Sequence, residues 1–66
     1  MNLSLNGSPY TLPEGSTLSD LSKALELEGK RFAIEVNEDI IPRSEHATHA
    51  INEGDNIEVV EAIGGG

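Results

Sequence analysis

The 66-residue chain has no cysteine and no tryptophan, and its aromatic complement is Tyr10 and Phe32. Without thiols it can build neither a disulfide framework nor a thiolate zinc site, so a fold this small must rest on its apolar core. Basic side chains are scarce as well: Lys23, Lys30, Arg31 and Arg43 face 12 acidic ones, for a formal net charge of -8. That balance repels phosphate backbones and anionic lipid, so neither nucleic acid nor a membrane surface is an expected partner. The same field favours solubility and speeds encounter with a basic protein surface. No apolar run approaches the ~20 residues of a membrane helix, and the first residues lack the basic and apolar regions of a secretion signal. The expectation is one soluble, cytoplasmic domain, too short for a second folding unit or a deep catalytic cleft.

What is present is strong patterning. Met1, Leu3 and Leu5 alternate with Asn2, Ser4 and Asn6, which predicts a strand with one buried face. Asn6-Gly7 suits a type I′ turn, and Tyr10 and Leu12 alternate in a returning strand. After Pro13-Glu14-Gly15-Ser16, Thr17 and Asp20 have the spacing of a helix N-cap with an acid in the first turn. Leu18, Leu21 and Leu25 then form a helical stripe, with Gly29 as the expected stop beyond Leu27.

Phe32, Ile34 and Val36 predict a third strand, and Ile40-Ile41-Pro42 a very short fourth one. Residues 43 to 50 read as a polar connection with one helical turn around Ser44 to Ala47. Gly54-Asp55 turns the chain into a last strand from Ile57 to about Glu61, with Ile57 and Val59 facing inward. The order strand, strand, helix, strand, short strand, strand predicts an α+β domain over residues 1 to 62. In it a mixed sheet of four to five strands packs on one helix, the β-grasp or ubiquitin-like layout, and residues 63 to 66 follow as a glycine tail.

Chemistry concentrates at that tail. Glycine offers no side chain, so Gly64, Gly65 and Gly66 can act only through backbone, thinness or the terminal carboxylate of Gly66. Four to five extended residues at ~3.3 Å each reach about 13 to 17 Å, enough to thread a narrow channel in another protein. Terminal glycines are often simply frayed, and the tail is expected to be mobile when unbound. Its place directly after the last strand of a β-grasp pattern nevertheless favours function. Alternation turns Val60 and Ala62 outward, which with Ile63 makes an apolar docking candidate leading into the tail. His46 and His49, three apart, offer at most a weak metal pair, and surface histidines in a polar connection are the expectation. No serine-histidine, acid-base or phosphate-loop arrangement competes, so no catalytic or metal residue is assigned.

Four segments together resemble the ThiS family, the sulfur carriers of thiamin thiazole synthesis. They are Leu5-Asn6-Gly7, Thr17-Leu18-Ser19-Asp20-Leu21, Val36-Asn37-Glu38-Asp39-Ile40-Ile41-Pro42-Arg43, and the ending from Glu53 to Gly66. The resemblance implies that a ubiquitin-activating-type (ThiF-like) adenylyltransferase uses ATP and Mg to adenylate the Gly66 carboxylate. A persulfide from a sulfur donor protein then displaces AMP, and the resulting thiocarboxylate serves a ThiG-like thiazole synthase. It further implies that the chain is a protein substrate and group carrier rather than an enzyme, with no cofactor of its own, and a monomer when free. Such families often end in two glycines, and here position 64 is glycine too. Alternatives from the same pattern are a carrier for molybdopterin or tRNA thiolation, a ubiquitin-like modifier joined to lysines, and a plain interaction domain.

Overall fold

The computed structural model describes residues 1 to 62. Its elements are β1 (Asn2–Leu5), β2 (Ser8–Thr11), α1 (Leu18–Ala24), β3 (Phe32–Val36), β4 (Asp39–Ile41), a 3₁₀ turn (Arg43–Glu45) and β5 (Asn56–Glu61). The strands form one sheet in the order β2-β1-β5-β3-β4. β1 and β5 run parallel, and the other neighbours are antiparallel. The last strand therefore fills the centre of the sheet, and the described chain ends at the middle of one sheet end.

Both hairpins turn on two residues at positive φ, Asn6 and Gly7 at 50° and 82° and Asn37 and Glu38 at 51° and 75°. This is the type I′ geometry, whose twist matches that of the strands it joins. The second turn has no glycine, and side-chain bonds hold it. Asn37 Nδ2 donates to Asp55 Oδ1 at 3.1 Å, and Asn37 Oδ1 accepts from the Asn56 N–H at 2.9 Å. Asp55 is buried, and its Oδ2 accepts from the Asn52 N–H at 2.8 Å, which fixes the approach to β5.

The start of α1 follows its sequence signature. The Asp20 N–H donates to Thr17 Oγ1 at 3.3 Å, and the Thr17 N–H donates to Asp20 Oδ2 at 2.8 Å, a reciprocal capping box. The Thr17 backbone and hydroxyl donors, then Lys23, hold the Asp20 carboxyl below its ordinary value of 3.8. A depressed folded-state pKa contributes stability that is fully present above pH 3.8 and is lost as the pH falls through the folded value. An Asp20→Asn variant is expected to show a flatter decline of melting temperature below that pH than the wild type; parallel declines would contradict the assignment.

The helix ends earlier than its sequence suggests, at Ala24 rather than near Gly29. At 100° per residue, Leu27 would lie on the far side of a continued helix from the Leu21 and Leu25 stripe. Instead Glu26 takes φ 57°, the Leu27 N–H donates to Ser22 O at 2.9 Å, and the Glu26 N–H donates to Lys23 O at 3.0 Å. This Schellman-type exit turns Leu27 inward, where it is buried. Leu18, Leu21, Ile34 and Ile57 are the fully enclosed core side chains, with Leu3, Leu12, Val36 and Ile51 around them. No described helix is long and apolar enough to cross a membrane.

The connection from residue 43 to 50 also differs from expectation. Its helical turn is a 3₁₀ turn at Arg43–Glu45, one residue earlier than Ser44, and His46 is buried rather than on the surface. His46 Nε2 lies 2.9 Å from Ile41 O, and its carbonyl accepts from the Ser19 N–H at 3.1 Å. Together with the bond from the Leu18 N–H to His49 O, this pins the connection across the start of α1 and satisfies donors the helix cannot use itself.

Candidate functional site at the end of the central strand

β5 pairs with β3 in the register Ile57 with Val36, Glu58 with Glu35, Val59 with Ile34, Val60 with Ala33 and Glu61 with Phe32. The core face of this ladder holds Ile57, Val36 and Ile34, while Val59 and Phe32 are partly buried. Alternation then puts Glu58, Val60 and Ala62 on the outer face. Val60 is 60% exposed and Ala62 is exposed, as the pattern predicts. The Ala62 N–H donates to Arg31 O at 2.9 Å, which carries the ladder one step past Glu61 and holds the root of the tail against β3. Ile63, Gly64, Gly65 and Gly66, and with them the expected mobility of the tail, lie outside the described residues.

One cation is placed at this end of the sheet. The Arg43 guanidinium lies 4.1 Å from the centroid of the Phe32 ring and donates through Nη2 to Lys30 O at 3.2 Å. The buried His46 ring stacks on Phe32, with ring centroids 6.0 Å apart. Arg31 through its backbone and Arg43 through the Phe32 ring, whose residue pairs with Glu61, thus lie beside the end of β5. Sequence reasoning did not bring these together, because residues 31 and 62 meet only through strand pairing.

The hollow beside Phe32, Arg43 and His46 encloses about 240 Å³, below the roughly 300–1,000 Å³ common for small-molecule pockets. Among the described residues no group of three metal-ligating side chains occurs, and His46 Nε2 lies 2.9 Å from the Ile41 carbonyl oxygen.

One helix packed on a five-stranded mixed sheet with the last strand at its centre defines the class: a small ubiquitin-like β-grasp domain. The family model described as the ThiS family matches residues 3–66, tail included. The chain belongs to the ThiS family of sulfur carriers. The crystal structure of a thiamine biosynthesis protein (ThiS) from Geobacter metallireducens superposes with a TM-score of 0.84 at 29% identity, covering 100% of both chains. The sulfur carrier protein ThiS of Escherichia coli is 29% identical over 66 residues and matched along its full length. A thiazole synthase of Paramagnetospirillum magneticum is 36% identical over 66 residues, and the chain spans 20% of that longer protein.

Proposed function

We propose that this protein carries sulfur for thiazole formation in thiamin biosynthesis, with the Gly66 carboxylate as the loading point. The observation that carries the reading is the family match through residue 66, which includes the three glycines following a central strand whose root is held at Ala62. A carboxylate is a poor electrophile, and activation supplies the missing leaving group. A Gly66 carboxylate oxygen attacks the α-phosphorus of ATP in a ThiF-like adenylyltransferase that uses Mg, and pyrophosphate leaves. The terminal sulfur of a donor persulfide then attacks the acyl carbon and expels AMP. A thiol cleaves the S–S bond of the acyl disulfide so formed, leaving as a disulfide and releasing the thiocarboxylate. Gly64 and Gly65 admit the terminus to these sites because no Cβ narrows the passage.

The acceptor under this reading is a ThiG-like thiazole synthase. Support comes from the thiazole synthases of Paramagnetospirillum magneticum and Magnetococcus marinus, each 36% identical to this chain over a fifth of its length. A carrier region and a synthase joined in one chain meet at high effective concentration, the arrangement expected of consecutive partners. Val60, Ala62 and Ile63 are the apolar docking positions next to the tail. The test is intact mass after incubation with ATP, the adenylyltransferase and a persulfide donor. Exchange of one oxygen for sulfur adds about 16 Da, and an unchanged mass in the presence of active enzyme would sink the reading.

A further inference from the structure

β5 is flanked by two strands at its start and by one at its end. Its parallel register with β1 stops at Leu5 with Ile57, because the chain leaves β1 through the turn at Asn6 and Gly7. Its register with β3 runs on to Glu61 with Phe32. Backbone groups alternate sides along a strand. Asn56 and Ala62 bond toward β3, through Asn37 and Arg31, so Ile57, Val59 and Glu61 turn theirs toward the β1 side. From Val59 onward, among the described residues, no strand lies on that side.

In a continued parallel ladder, residue 6 would donate its N–H to Ile57 O and accept the Val59 N–H on its own carbonyl. The first bond is present, at 2.9 Å. The second is made by the side chain instead: at φ 50° the backbone has left the strand, and Asn6 Oδ1 accepts from the Val59 N–H at 2.8 Å. Asparagine joins the two properties this needs, tolerance of the left-handed region and a carboxamide oxygen one short side chain from the backbone. We propose that Asn6 is a positioning residue for the tail. Its carboxamide oxygen clamps β5 on the side that β1 has left, and so fixes the direction in which the chain leaves the sheet. The proposal rests on the carrier reading above and adds the residue that aims the reacting end.

The clamp acts through a long lever. From Val59 to Gly66 is about 23 Å of extended chain, seven residues at ~3.3 Å each, so a small rotation at Val59 becomes ångströms at the terminus. Attack on a bound nucleotide is sensitive to misplacement of about 1 Å. Without the Asn6 acceptor, the end of β5 is held by β3 alone and can pivot about that edge. A carrier that docks with its tail misdirected reacts slowly even at saturation, so kcat falls. A carrier that is partly unfolded is merely scarcer, which raises the apparent KM and leaves kcat alone.

Two variants separate the turn from the clamp. Asn6→Gly keeps the left-handed turn and removes the acceptor, whereas Asn6→Asp keeps both. Amide hydrogen exchange on the free protein should show protection of the Val59 N–H falling roughly tenfold in Asn6→Gly and unchanged in Asn6→Asp. In pyrophosphate exchange with the purified adenylyltransferase, varying carrier concentration, Asn6→Gly is expected to lower kcat roughly tenfold, with Asn6→Asp within about twofold of wild type. Unchanged Val59 protection in Asn6→Gly would show that the bond does not hold the strand, and the proposal fails. A rise in KM alone, or equal kcat losses in the two variants, would show a role in folding only and overturn it as well. If kcat of Asn6→Gly stays within about twofold while the wild type is adenylated normally, the clamp does not aim the tail and the carrier reading stands. If the wild type is not adenylated by active enzyme, the carrier reading fails and the positioning role fails with it.

Discussion

Deleting Gly65 and Gly66 is expected to abolish thiocarboxylate formation completely while leaving the melting temperature within about 2 °C of wild type. The separation follows from where the fold closes. β5 ends at Glu61, its pairing with β3 runs from Ile57 to Glu61, and the Ala62 N–H completes the ladder on Arg31. The enclosed core residues, Leu18, Leu21, Ile34 and Ile57, all precede the tail. The truncated chain would still end in a carboxylate, on Gly64, but about 6 to 7 Å short at ~3.3 Å per residue, too far back for in-line attack at a channel's end. Intact-mass analysis with ATP, activating enzyme and sulfur donor reads the first half of the prediction, and thermal melting the second. Growth without thiamin should fail in cells that carry only the truncated form. A truncated protein that still gains the mass of sulfur would show that Gly66 is not the loading point.

The largest effect on stability is expected from Ile57→Ala. Ile57 is fully enclosed on the central strand, paired with Leu5 of β1 on one side and Val36 of β3 on the other. Removing three carbons there forfeits their transfer free energy and leaves a space that two flanking strands hold open, a loss of about 2–5 kcal/mol. A 66-residue domain with no disulfide sits near the low end of the usual range, roughly 5 kcal/mol in total. The variant should therefore be substantially unfolded at 37 °C, seen as loss of the cooperative melting transition. Val60→Ala, on the outer face of the same strand, should change the melting temperature little. Equal effects at the two positions would contradict the assignment of faces.

Much of this arrangement was legible because it is local. Alternation in Phe32, Ile34 and Val36 and in Ile57 and Val59 named the inner faces, Asn6-Gly7 named its turn, and Thr17 with Asp20 named the helix start. Each of these signals lies within a few residues of what it specifies. The features misread or missed depend on distant groups. The helix stops at Ala24 because burying Leu27 outweighs another turn of helix, and no residue near 24 announces it. His46 is buried because the connection crosses the start of α1 and packs on Phe32, a contact that polarity alone hides. The second type I′ turn, at Asn37-Glu38, lacks glycine and is held by Asn37 and Asp55, which lie 18 residues apart.

The tail divides along the same line. Its composition, its position after the last apolar strand and the family resemblance are written in the order of residues, and they are the basis on which Gly66 is proposed as the reacting end. Which strand delivers it, and what surrounds its root, are matters of pairing. The parallel contact of β1 with β5 places the final strand at the centre of the sheet, and the β3–β5 register sets Glu35 against Glu58 and Ala33 against Val60. Periodicity states which way a side chain points, whereas register between strands more than 20 residues apart is chosen by the packing of the whole core. The tail was therefore determined by sequence, and the pairing at its root was decided by the fold.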